Sequence, residues 1–361
     1  MENLKKAVLQ RSSEVFSSLD EAEAIYKESI IIDMRGHPSL TRNGVDDFKA
    51  SGITMANIQG DSELAMLLNN WHVRHFRELS LATSAEHVLE AKKKGGMCAL
   101  MSIEHPEALN QVCSDHRPVM QEHLVKLEQF YILGVRRVQL SYNRRTMFAN
   151  GCTERVDEGL SYYGVELIAK MNELGMLVDC GHVGIKSSID AVEVSKKPII
   201  YSHTGCRSVF DHPRSKTDEA LKVLAEKGGV ACMYNLPYFL SMEPLKVTSK
   251  DFLDQVDYAV KIMGVDHVGI GSDQAIKARG HFPSDESIVL DRATKYQEAR
   301  QQKYLHFMNE INIQAPHVMP EYADTDYMLK ITRGLLSRSY SKQDVKKIMG
   351  ENCVRLMQEV L

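Results

Sequence analysis

No CxxC pair, no apolar run of membrane-spanning length, no GxGxxG loop and no surplus of positive charge occur in this 361-residue sequence. The seven cysteines, at 98, 113, 152, 180, 206, 232 and 353, lack the paired spacing of a zinc ribbon or a thiol-exchange motif. Several lie in apolar runs, which fits a reducing compartment. A formal net charge of -4 excludes the broad basic surface that general nucleic-acid binding requires. The local run Lys92-Lys93-Lys94 before Gly95-Gly96 reads as a solvated helix end rather than a phosphate patch. Charges spread through the N-terminal segment leave no apolar core for a signal peptide, so the expected location is the cytoplasm, with no membrane partner.

What is present is an ordinary globular composition, 43% hydrophobic and 25% charged, with a recurring pattern. Eight short runs rich in Val, Ile and Leu read as strands buried on both faces: Ser29–Met34, Ile53–Ile58, Met97–Ser102, Val135–Ser141, Met176–Cys180, Pro198–Ser202, Gly229–Tyr234 and His267–Gly271. Segments with helical periodicity separate most of them, for example Leu160–Leu174 and Thr217–Glu226. Eight β/α repeats predict an α/β fold, a single (β/α)8 TIM barrel domain over residues 1–361 with N-terminal helices. Residues 274–320, with Pro283, Pro316 and Pro320, read as an insertion at the barrel mouth, a lid by position. Ser341 reads as the N-cap of a C-terminal amphipathic helix. An open doubly wound sheet would carry a Gly-rich nucleotide loop after its first strand, where Asp33-Met34-Arg35-Gly36-His37-Pro38 stands instead.

Catalytic groups of such a barrel sit at the C-terminal ends of different strands. Here those ends supply Arg35 and His37, Glu104, Tyr142, His182, His203 and Asp273. Any one of the fourteen histidines is by default a hydrogen-bonded structural residue, but the joint pattern is a ligand set suited to zinc or a similar ion. A divalent ion also has a chemical reason to be there, since amide hydrolysis at neutral pH needs a nucleophile stronger than water. Glu104 can bridge two ions, and Asp273 can take a proton from the attacking water and return it to the leaving amine.

The runs carrying these residues resemble the membrane (renal) dipeptidase family of zinc metallopeptidases. The likeness rests on Ser102-Ile103-Glu104, on 133–140, on Gly175 through Val183, on Pro198 through His203, on His212-Pro213-Arg214 and on His267 through Asp273. It implies an amidohydrolase-like barrel with a bridging carboxylate at Glu104 and one ion completed by His182 and His203. It further implies a substrate carboxylate on Arg214 and an acid/base at Asp273. The family's first-strand motif, Ile-Asp-Gly-His-x-Asp, becomes Ile32-Asp33-Met34-Arg35-Gly36-His37, so Arg35 and His37 stand where the first ion's own ligands belong. A guanidinium cannot coordinate a cation. The family's Leu-Thr-His becomes Leu140-Ser141-Tyr142, leaving Tyr142 as an oxyanion donor or a packing residue.

The expectation is a metal-dependent hydrolase of a dipeptide or dipeptide-like amide, with zinc on Glu104, His182 and His203 and with His37 as a further candidate ligand. Arg35 and Arg214 are expected to meet substrate, and Asp273 and Tyr142 to act in catalysis. One or two ions, and a possible homodimer, stay open. Two alternatives remain: a mononuclear enzyme acting on a cyclic amide or lactone, and a pseudoenzyme that keeps the barrel as a scaffold. Cys180 and Cys206 are read as packing residues, and His105 and His212 as neighbours of the site.

Overall fold

The computed structural model describes residues 21–109, 122–277 and 318–361. Apolar runs with β-branched residues form nine parallel strands, and the helices between them cover the outer face. The strands are β1 (Ile32–Asp33), β2 (Met55–Gln59), β3 (Leu79–Leu81), β4 (Met97–Ile103), β5 (Val135–Gln139), β6 (Leu177–Asp179), β7 (Ile200–Thr204), β8 (Val230–Met233) and β9 (Val268–Ile270). Eight pair in the order β1-β2-β4-β5-β6-β7-β8-β9, while β3 lies off this path against β4.

The two ends of the path meet. Met34 donates to the Ile270 carbonyl at 2.9 Å, and His37 pairs with Ala275 in a parallel bridge. The eight predicted runs therefore correspond to the eight strands of the barrel path. β3 was not expected, because three residues are too few to show a period. Of the predicted mouth insertion, residues 278–317 lie outside the described residues.

Local signals position the helices. Helix Tyr162–Leu174 starts where Ser161 accepts a hydrogen bond from Gly164 and stops at Gly175, whose φ of 70° suits glycine. Thr217 and Ser341 cap Asp218–Glu226 and Lys342–Lys346 in the same way. The last helix, Asn352–Val360, buries Cys353, Val354, Leu356, Met357 and Val360. These join Ile32, Met55, Cys98, Leu177, Ile200 and Val230, residues at or near the starts of six strands, so the helix seals the N-terminal floor of the barrel. No helix among the described residues is long and apolar enough to cross a membrane.

Above this apolar floor lies a polar layer. The buried Arg137 on β5 pairs with Asp179 on β6 at 3.3 Å and donates to Met34 O, Asn57 Oδ1 and Ser102 Oγ at 2.5, 3.0 and 3.2 Å. On β1, Asp33 is fully buried and accepts hydrogen bonds from Ser272 N (2.9 Å), Ser272 Oγ, Tyr327 OH (2.5 Å) and Arg35 N (3.1 Å). Burial nevertheless outweighs these donors and raises the Asp33 carboxyl above its ordinary range. Asp33 thus ties β1 to the segment after β9 and to helix Tyr327–Ser337.

Tyr327→Phe removes one of the donors to a buried carboxyl and is expected to lower stability by about 1–3 kcal/mol. Equilibrium urea unfolding measures it, and a midpoint equal to that of the wild type would show that Asp33 does not need this bond.

Candidate metal centre and active-site mouth

Glu104 follows β4 directly, His182 sits in the turn after β6, and His203 lies within β7. The register between β7 and β8 shifts between Tyr201 and Thr204, so β7 departs from regular pairing at the segment that carries His203. The turn bearing His182 passes close to its neighbours. A Cβ at Gly181 would stand 2.9 Å from Gln139 Oε1 and 3.0 Å from the His203 ring, so a side chain there would push on both site residues.

These three side chains converge. Their candidate ligand atoms lie within 4.8 Å of one another, and all three residues are buried. Glu104 Oε1 is 3.2 Å from His182 Nε2 and 3.5 Å from His203 Nε2, and the two Nε2 atoms are 2.8 Å apart. The other ring nitrogens are engaged: His182 Nδ1 lies 2.7 Å from Asn143 Oδ1, and His203 Nδ1 lies 2.8 Å from Ser202 Oγ. An amide oxygen only accepts, so His182 Nδ1 carries the proton and its Nε2 presents a lone pair to the centre.

Electrostatics keep the set in ligand form. Burial and Arg214 pull His182 down to about 4, and burial, Arg214 and His182 hold His203 well below the usual histidine range, so both imidazoles are neutral. Burial opposes ionisation of Glu104, but Arg35 and His182 outweigh it and keep the carboxylate charged. Glu104 Oε1 is also a buried oxygen that accepts no hydrogen bond. Two neutral imidazoles and a charged carboxylate with an unsatisfied oxygen fit one divalent ion.

A second ion does not fit. Arg35, only 5% exposed, directs Nη2 onto Glu104 Oε2 and places Nε 3.5 Å from Asp273 Oδ1. The remaining demand of Glu104 Oε2 is met by Gln59 Nε2 at 2.6 Å. His37 lies outside the three-ligand group, with Nε2 3.3 Å from Asp273 Oδ1 and Nδ1 3.4 Å from Arg35 Nη1. Asp273 is only partly exposed, and His37 and Arg35 outweigh its desolvation and hold its carboxyl below the ordinary range. The position beside Glu104 Oε2 is thus filled by a guanidinium.

Arg214 and Tyr142 flank the centre. Arg214 is buried over Phe239 and donates from Nη1 to the Gly181 carbonyl, next to His182. Its Nε and Nη2 have no hydrogen-bond partner, and buried guanidinium N–H groups call for an anionic acceptor. The Tyr142 ring packs between His105 and His182 at 4.2 Å from each. Burial, with Glu104 and Asp273, pushes its phenol up to about 12, so it remains a donor at neutral pH. Cys180 and Cys206 are fully buried with raised thiols, in keeping with packing roles.

Sequence reasoning missed the supporting residues. Asn143 orients His182, and its left-handed backbone, φ 60°, is one that Asn tolerates. Asp273 has the same φ, so two site residues adopt a backbone rare for side-chain-bearing residues. Gln139 accepts from His182 N at 3.2 Å and donates to the Glu104 carbonyl at 3.1 Å. Gln59 and Asn143 belong to none of the motifs, and Gln139, although inside the 133–140 run, carried no expected role.

A sequence model described as membrane dipeptidase, peptidase family M19, matches residues 21–283. The chain belongs to the membrane dipeptidase family. It is 26% identical over 321 residues to dipeptidase tcpJ of Claviceps purpurea, covering 88% of this chain and 63% of that protein. It is 32% identical over 205 residues to an uncharacterized dipeptidase of Schizosaccharomyces pombe, covering 55% and 47%. The match thus spans less than two thirds of the length of these curated relatives. An amidohydrolase from Pseudomonas aeruginosa superposes with a TM-score of 0.77 at 27% identity, covering 94% of this chain and 98% of that one. A metallopeptidase from Rhodobacter sphaeroides, liganded with a phosphinate mimic of L-Ala-D-Ala, superposes at 0.68 and 18% identity over 92% and 100%. At that identity it shows the shared fold. The barrel of this dipeptidase-family chain is therefore an M19 barrel.

In the dipeptidase-family chain, His203→Ala is expected to abolish cobalt(II) binding, read from the visible absorption of the loaded protein, with an unchanged far-ultraviolet spectrum. Asn143→Ala should weaken the same binding roughly 10- to 100-fold, the scale for losing a histidine's outer partner. A His203→Ala protein that takes up cobalt like the wild type would remove His203 from the ligand set.

Proposed function

We propose that this protein is a zinc-dependent dipeptidase-type hydrolase that cleaves the amide bond of a dipeptide or a small dipeptide-like substrate. The observation that carries the reading is the convergence of Glu104 Oε1, His182 Nε2 and His203 Nε2 beside a buried Arg214 with two unpartnered N–H groups. Zinc suits two imidazoles and a carboxylate with an open position. An ion there supplies Lewis acidity, polarising the amide carbonyl and lowering the pKa of water to about 7.

The chain's own residues supply the rest. Arg214 holds the substrate carboxylate through its free Nε and Nη2 edge, fixing the amide over the centre. Asp273, kept ionised by His37 and Arg35, takes a proton from water and returns it to the leaving nitrogen. Tyr142 remains protonated and donates a hydrogen bond to the oxygen on which negative charge develops. His37 orients Asp273 rather than completing the ligand set. The buried free thiols among the described residues suit a reducing, cytoplasmic setting.

Arg214→Met is expected to raise KM for a carboxylate-bearing substrate by roughly 10- to 100-fold, because a charge-assisted contact is worth about 1.5–3 kcal/mol. Steady-state kinetics on the zinc-loaded protein check it. An unchanged KM would place the substrate carboxylate elsewhere.

A further inference from the structure

Among the described residues, each carboxylate near the centre has at least one oxygen engaged by the protein. Glu104 Oε2 is held by Arg35 and Gln59, and Glu104 Oε1 faces the two histidines. Asp273 Oδ1 is shared by Arg35 and His37. Asp61 Oδ1 accepts the backbone N–H groups of Glu104 and His105 at 2.8 and 3.1 Å. With a divalent ion in place, the mouth holds the ion, Arg35 and Arg214 against these three carboxylates.

The two arginines reach the centre from different elements and hold different groups. Arg214 contacts Gly181, beside His182 after β6, whereas Arg35 follows β1 and grips the Glu104 oxygen that points away from the histidines. A substrate anchored by its carboxylate on Arg214, with its amide at the centre, directs its acyl group toward Arg35. Building on the dipeptidase-type reading, we infer that Arg35 is a specificity-determining residue. It replaces a second ion with a fixed guanidinium and selects N-acyl amino acids, whose acyl side is uncharged, over free dipeptides.

The physical reason is like-charge repulsion. A free dipeptide carries an ammonium on the carbon next to its acyl carbonyl, where it meets a permanent guanidinium and a divalent ion, while among the described residues the acceptors beside Arg35, Glu104 Oε2 and Asp273 Oδ1, are already shared with other donors. An N-acyl amino acid keeps the carboxylate for Arg214 and brings no ammonium. Hydrolysis is the same for both: water adds to the amide carbon and the C–N bond breaks. The bonding pair and a proton go to the leaving nitrogen, giving a carboxylate and a free amino acid.

The test uses the full chain reconstituted with zinc and two substrates that differ only in the amine, L-Ala-D-Ala and propionyl-D-Ala, with their L-Ala counterparts. The expected result is a kcat/KM higher for the propionyl compound by about tenfold or more, the scale of a like-charge contact. Elemental analysis is expected to find one zinc per chain. Arg35→Lys should keep the preference and Arg35→Met should erase it. Equal rates or a preference for the free dipeptide would overturn the role of Arg35 while leaving the dipeptidase-type reading intact. Two zinc ions per chain would overturn it independently of activity. Turnover of neither compound would instead overturn the dipeptidase-type reading on which the inference rests.

Discussion

A guanidinium buried against Glu104 governs the electrostatics of the whole mouth. Two charges removed from water lose several kcal/mol of hydration each, a cost that their mutual attraction and the remaining polar contacts offset. Here Gln59 completes Glu104 Oε2 and His37 Nδ1 meets Arg35 Nη1, while Arg35 Nε, without a hydrogen bond, pairs with Asp273 Oδ1 at 3.5 Å. The result is a carboxylate with one oxygen neutralised by protein and the other left facing two neutral imidazoles. One half of Glu104 is spent on Arg35, and the other half is the part available to a metal.

The candidate ligands are held from beneath. Asp179, paired with Arg137, accepts the N–H groups of Gly181 at 2.9 Å and Ser202 at 3.0 Å, which precede His182 and His203 respectively. Arg137 also grips the carbonyl of Met34, just before Arg35. A single buried ion pair in the polar layer therefore holds the backbone of the residue just before each of three site residues, His182, His203 and Arg35. The apolar floor sealed by Asn352–Val360 lies below it, so burial of Arg137 and Asp179 is nearly complete.

The barrel was legible because buried parallel strands leave continuous apolar runs, and eight such runs became the eight strands of the closed path. Glu104, His182 and His203 were legible because strand ends are where a barrel places its chemistry, and the structure brings all three together. The substitution at Arg35 was visible as a cation where a ligand was expected; that it fills the place by pairing with Glu104 and Asp273 required coordinates. His37 illustrates the limit. Its sequence position suggested a ligand, but the turn after β1 aims it at Asp273. The roles of Asn143, Gln59 and Gln139 were not legible, since an uncharged amide carries no spacing rule and acts only through the neighbour that folding supplies.

The most direct measurement is an anomalous difference map recorded at the zinc edge from crystals of the zinc-loaded protein. A single peak between Glu104 Oε1, His182 Nε2 and His203 Nε2, with the Arg35 guanidinium still on Glu104 Oε2, is the result this account predicts. A second peak at the guanidinium position, with Arg35 swung away from Glu104, would contradict it.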